Sequence, residues 1–213
     1  RNIKKISDIQ NKSFELSLLL SIPASCGLIL ASNQIVNALF GYGSFSIKDV
    51  EITAIALKFF GYGVPAFALI KILSNFFFAR DNTKIPFYIS TFIVILNILI
   101  SVSLSSEIGF IIIPIATPIS TWVGVIIYLY LLNYKKSLLL QRQLVLKFIK
   151  IMISAIIMSL TLFLALENFT SYLDYTHDYK AIYLILIVSF VGTLYLISCY
   201  LLGLLKLKNY KTN

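Results

Sequence analysis

Charge is what this sequence has least of: Asp, Glu, Lys and Arg make up 13% of its 213 residues, about half the share usual in a soluble domain. That shortage, with 59% hydrophobic residues and a mean hydropathy of +0.90, excludes a water-soluble globular domain and makes the bilayer the solvent. Histidine is nearly missing as well. His177, the single one, lies between Asp174 and Asp178 and reads as a solvated loop residue, since one histidine without partners at defined spacing builds neither a metal site nor a catalytic triad. The two cysteines, Cys26 and Cys199, sit far apart inside apolar runs, which excludes a disulfide framework and leaves them as small buried hydrophobes. Glycine-rich nucleotide loops and internal repeats are not evident, and no cofactor or metal is expected. The chain opens at Arg1 without an initiator Met or a cleavable signal pattern, so it is expected to be a piece of something longer.

What is present is a set of long apolar runs separated by short basic loops. The net charge of +9 does not point to nucleic acid, because the basic residues lie between apolar runs instead of gathering on one polar face. A helix crossing a hydrocarbon core of roughly 30 Å needs about 20 residues, so the runs divide by length and by their breakers. Six spans result: helices over 14–40, 52–79, 85–105, 110–133, 147–166 and 181–205. The first ends at Gly41-Tyr42-Gly43, the second closes at Arg80-Asp81-Asn82, and Glu107 with Gly109 divides the long central run. The fold class is all-α, a polytopic membrane protein. Residues 134–150 form a basic connection, either a plain loop or an amphipathic helix on the leaflet surface.

Lys and Arg resist translocation, so their distribution among short loops sets orientation. With the first residue cytoplasmic, Arg1, Lys4, Lys5, Lys12, Arg80, Lys84, Lys135, Lys136, Arg142, Lys147, Lys150, Lys206, Lys208 and Lys211 share that side, and only Lys48 and Lys180 face the other. Both ends are therefore expected in the cytoplasm. Lys58 and Lys71, the two remaining cations, lie within the second span.

Lys71 is the sharper of these. It precedes Arg80 by nine residues, roughly 13 Å of helix and so near mid-bilayer. A cation there opposes insertion by roughly 2.5–3.5 kcal/mol and is tolerated mainly when it faces a wet cavity or a partner. It reads as a cavity cation attracting an anionic headgroup, the alternatives being a structural ion pair or snorkelling. Lys58, about two turns from the outer end, reads mainly as snorkelling and second as a cavity residue. Gly61, Gly63 and Pro65 interrupt the same helix, and Pro114 and Pro118 interrupt the fourth; each set suits either a bend or close packing. Asn97 and Ser101, with Thr117 on the next helix, could form a small polar or cation site, though helix-to-helix hydrogen bonding is the better reading without a carboxylate.

The stretch Leu39-Phe40-Gly41-Tyr42-Gly43-Ser44-Phe45 with Asp49 resembles a loop of the MurJ/MviN family of lipid II flippases. So does the block from Tyr62-Gly63-Val64-Pro65-Ala66-Phe67 through Lys71 to Phe77-Phe78-Ala79-Arg80-Asp81-Asn82-Thr83-Lys84-Ile85-Pro86. The similarity covers about 22–122; the last two helices agree in number, spacing and charge. The resemblance implies a fragment of a fourteen-helix flippase: 1–133 as the last four helices of the second transport lobe, 134–150 as a cytoplasmic connection, and 151–213 as two extra helices thought to line a groove for a lipid tail. It implies the bacterial inner membrane, lipid II as cargo, and membrane lipids and the missing first lobe as partners. No bond is made or broken in such transport. Other readings are an exporter of another lipid-linked oligosaccharide or small molecule, or a non-transporting scaffold. An enzyme of polyprenyl phosphates fits poorly, because the loops lack clustered His, Asp and Glu.

Overall fold

The computed structural model describes residues 3–205. Seven α-helices follow in order: α1 Ile3–Leu30, α2 Ser32–Phe40, α3 Ile47–Phe78, α4 Lys84–Ile108, α5 Ile112–Tyr134, α6 Arg142–Asn168 and α7 Lys180–Leu201. All but α2 have membrane-crossing length, the shortest being the 22 residues of α7, or roughly 33 Å. Helices α4 and α5 lie within one apolar stretch, Lys84–Tyr134, and part at Gly109. There the backbone takes φ 73°, which glycine adopts without steric cost, and the Gly109 N–H closes α4 on Ser105 O.

The boundaries depart from the hydropathy runs for local reasons. The expected first helix, 14–40, starts earlier and is divided. Its start moves to Ile3 because a helix continues beyond the hydrocarbon while its charged residues, Lys4, Lys5, Asp8 and Lys12, stay exposed. Its division falls at Ala31, whose φ −104° and ψ 15° leave the helical region while the bonds Ala31 N to Gly27 O and Ile35 N to Ala31 O still bridge it. Helix α3 begins at Ile47 instead of 52. Ser46 Oγ accepts from Asp49 N and the Asp49 carboxylate accepts from Ser46 N, a capping box that satisfies two end donors outside the apolar run. Helix α6 begins at Arg142, so no separate amphipathic helix occupies the connection; 135–141 is non-helical chain.

Helix α1 is central. On one side Leu19 and Ile22 pack with Ile151, Ala155, Met158 and Leu162 of α6 and Val191, Tyr195 and Cys199 of α7. On the other, Phe14 joins Ala66, Leu69, Leu73 and Phe77 of α3 and Val125, Tyr128 and Leu132 of α5. Helix α4 buries only Pro86 and Ile89, so most of its apolar surface faces outward. In lipid, helices associate through close packing of small residues and through polar contacts, since apolar burial alone discriminates little. Gly124 shows the first: a Cβ there would overlap Ile93 of α4.

The interruption at Pro65 shows the second. Proline lacks the N–H that Gly61 O would otherwise accept. Ser25 Oγ of α1 donates to that carbonyl at 2.7 Å, and Trp122 Nε1 of α5 donates to Tyr62 O at 3.0 Å. A Cβ on Gly61 would lie 3.0 Å from Ile29, and one on Gly63 would lie 3.2 Å from Pro118. The glycines let α1 and α5 approach α3 at its weakest point, where Ser25 replaces the missing hydrogen bond at Gly61 O and Trp122 adds one at the neighbouring Tyr62 O. Ser25→Ala should therefore lower stability by about 1 kcal/mol, read as a lower unfolding midpoint of the full-length protein in detergent. An unchanged midpoint would remove Ser25 from this brace.

Candidate functional site

Lys71 lies on the face of α3 that turns away from α1 and α5. It is exposed, as are Phe67, Asn75 and Phe78 one or two turns away, and it forms no ion pair among the described residues. Ser74 Oγ donates to its carbonyl at 3.0 Å, a contact that leaves the ammonium free of it. Lys58 is also exposed. Thirteen residues separate the two, which on an ideal helix turns their side chains roughly 140° apart. They do not share one face of α3.

The polar residues of α4 and α5 do meet. Asn97 Nδ2 donates to Thr117 Oγ1 at 3.0 Å, and Thr117 Oγ1 donates to Ile113 O at 2.9 Å. Ser120 and Thr121 hydroxyls both donate to Thr117 O, at 3.0 and 2.6 Å, beside Pro118. Ser101 is not drawn into this group; its hydroxyl is buried without a partner and edges a cleft of about 410 Å³ with Val102, Ser105, Gly109 and Phe110. Thr117 Oγ1 is engaged as both acceptor and donor. The described residues contain no group of three or more His, Cys, Asp or Glu able to hold a metal.

His177 is not simply solvated. Half-buried, it packs its ring on Tyr172, Tyr179 and Tyr183 at 5.8, 6.4 and 5.4 Å, and its Nδ1 accepts from Tyr179 N at 3.2 Å. An aromatic loop at a membrane interface offers the ring apolar neighbours that a count of adjacent acids does not reveal.

Three features escaped the sequence reading. Glu15, 2% exposed, sits one residue before the first apolar run and pairs with Lys147 at 2.7 Å and Lys12 at 3.5 Å, joining α1 to α6. The connection 135–141 is laid along α1 and held by side-chain amides. Gln10 Nε2 donates to Ser137 O at 3.1 Å and Gln10 Oε1 accepts from Leu139 N at 3.1 Å. Asn11 Nδ2 donates to Leu139 O at 2.8 Å and Asn11 Oδ1 accepts from Gln141 N at 2.9 Å. Each amide thus imitates one rung of a β-ladder. Arg80 Nη2 adds a bond to Ser137 O at 3.1 Å, bringing in the end of α3. The third feature is Lys180, counted in the sequence as a loop cation and in fact 1% exposed. An adjacent polar pair on α1 was the only signal for the second feature, and nothing local marked the third.

A further cleft, about 630 Å³ and almost wholly apolar, opens between α1 and α7 over α6, edged by Pro23, Gly27, Met158, Leu162, Gly192 and Tyr195.

These elements define a class: a multi-pass helical membrane protein with a lysine exposed on one of its long apolar helices and without an ion pair among the described residues. The family described as lipid II flippase MurJ matches residues 1–185. A probable lipid II flippase MurJ of Rickettsia prowazekii (strain Madrid E) is 32% identical over 98% of this chain and 41% of its own length. One from Buchnera aphidicola subsp. Baizongia pistaciae is 28% identical over 99% of this chain and 42% of its own length. A solved structure, lipid II flippase MurJ in an inward closed conformation, superposes with a TM-score of 0.75 at 27% identity, covering 94% of this chain and 40% of that one. This chain belongs to the MurJ family, and it spans about two fifths of the length of these relatives.

Proposed function

We propose that this chain is the C-terminal portion of a lipid II flippase, carrying polyprenyl-pyrophosphate-linked peptidoglycan precursor across the bacterial inner membrane for cell-wall synthesis. The observation that carries the reading beyond family membership is Lys71: a cation within a membrane-length helix, seven residues before its end, exposed and without an acid partner among the described residues. In this reading Lys71 faces a central cavity completed by the rest of the protein and attracts the pyrophosphate of the cargo. Lys58, on another face of α3, snorkels toward the outer headgroups. Residues 1–133 belong to the second transport lobe, 134–150 to a cytoplasmic connection and 151–213 to an appended helix pair, with both ends cytoplasmic as the distribution of Lys and Arg favours. Gly61, Gly63 and Pro65 in α3, and Pro114 and Pro118 in α5, give facing helices bend points for alternating access. Asn97 and Thr117 hold α4 to α5, and Ser101 lines the neighbouring cleft. Transport of this kind makes and breaks no covalent bond.

Complementation tests the reading. A full-length protein containing this segment, expressed in bacteria depleted of their own flippase, should restore growth and outer-leaflet lipid II. Correct insertion without either would turn the assignment toward another lipid-linked cargo or a non-transporting relative.

A further inference from the structure

Lys180 begins α7 and is among the most deeply buried side chains of the protein. Its ammonium has three N–H donors and the structure gives it three acceptors: Asn37 Oδ1 at 3.2 Å, Gly41 O at 2.7 Å and Tyr175 O at 2.7 Å. The rings of Tyr42 and Tyr175 flank it at 4.3 and 4.7 Å. None of the three acceptors is a carboxylate: oriented dipoles and ring faces contact the cation, and Asp174 and Asp178 favour its charge only through space. Asn37 Nδ2 meanwhile donates to Leu173 O at 2.9 Å, and Tyr175 OH donates to Phe45 O at 2.6 Å. Gly41 must lack a side chain, because a Cβ there would occupy the space of the Asn37 amide. One ammonium therefore gathers the end of α2, the loop after it, the α6–α7 loop and the start of α7.

Asn37 and Gly41 stand six and ten residues beyond Ala31, the point where the first membrane helix leaves helical geometry. We propose that Lys180 is a clasp that holds the end of α2 and the loop after it against the start of α7, across the bend at Ala31, while the other side of α2 packs on Val50 and Ala54 of α3 through Val36. The clasp lies at one end of the apolar cleft between α1 and α7, whose lining continues through Ala31 and Ile35 on one wall and Val188 and Val191 on the other. Holding α2 to α7 fixes the width of that end of the cleft. The inference rests on the packing alone and stands apart from the identity of the cargo.

Hydrogen–deuterium exchange of the full-length protein in nanodiscs tests it, with Lys180→Met and Asn37→Ala compared with the parent. Exchange over 32–45 and 173–182 should quicken by roughly tenfold to a hundredfold in both variants, as expected when hydrogen bonds to a charged group are lost locally. Exchange over 60–78 and 137–144 should stay at the parental rate. Unchanged exchange over 32–45 in Lys180→Met would overturn the clasp. So would acceleration spread evenly over all four segments, which would make Lys180 a general contributor to the fold.

Discussion

A full-length protein carrying Lys71→Met should insert at least as well as the parent and yet expose roughly tenfold to a hundredfold less lipid II on the outer leaflet. The two halves of this expectation have opposite signs, which makes the result diagnostic. Removing a cation from the span of α3 relieves an insertion cost of at most roughly 2.5–3.5 kcal/mol, and no ion pair among the described residues is broken. A structural lysine would give the reverse, with poorer insertion or stability and transport falling only in proportion. The loss in transport follows from the contribution of a charge-assisted hydrogen bond to an anionic headgroup, about 1.5–3 kcal/mol. Lys71→Arg, which keeps the charge, should retain a substantial part. Growth rescue and lipid II exposure, both normalised to the amount inserted, are the measurements. Normal exposure in Lys71→Met would remove this residue from the transport path.

The second large effect is on stability and lies at Glu15. Glu15→Ala leaves Lys147 and Lys12 without their carboxylate beside a buried helix face. Breaking a fully buried pair costs about 3–5 kcal/mol, but the Lys147 side chain keeps 40% of its exposure and water screens part of the loss. A destabilisation of about 1–3 kcal/mol is expected in detergent unfolding of the full-length protein. Lys147→Met made on top of Glu15→Ala should recover some of it, because the stranded cation is then gone. A double-mutant cycle in which the two changes simply add would show that the pair is not coupled.

The membrane helices were legible because hydropathy reports directly on the solvent around a segment: the second to sixth spans were read close to the observed centres of α3 to α7, while the first, 14–40, begins earlier and is divided at Ala31. The ends were legible only in part, since they depend on caps and not on apolarity. Ser46 and Asp49 formed a visible capping signature for α3, but an apolar run counted from 52 passes over it. That Lys71 falls on the second long helix was legible from sequence alone, and the structure finds it exposed there. Asn97 and Thr117, separated by a turn, were also close enough in sequence for their meeting to be foreseen. Lys180 was not. Two of its three acceptors lie 143 and 139 residues away at Asn37 and Gly41, and a lysine at the start of a helix looks like any interfacial lysine until those partners are folded beside it. Glu15 was hidden for a similar reason: as the last charge before an apolar run it reads as a boundary marker, while its partner Lys147 is 132 residues on. Neutral Gln10 and Asn11 offered still less, because side-chain amides are ordinary at a helix end.

The hydrogen bonds between α1 and 137–141 also set a timetable for biogenesis. Asn11 cannot meet Leu139 until 128 further residues have been made, which at about 5–20 residues per second is roughly 6–25 s of translation. Through that interval α1 stands in or beside the insertion machinery with two amide side chains and a carboxylate still lacking their final partners. Water at the headgroup boundary, or a chaperoning insertase, must solvate them until α5 has crossed and the strap arrives. The end of the bundle where α1 meets 137–141 is thus sealed late, and a translational pause between α1 and α5 would prolong the period in which α1 is least complete.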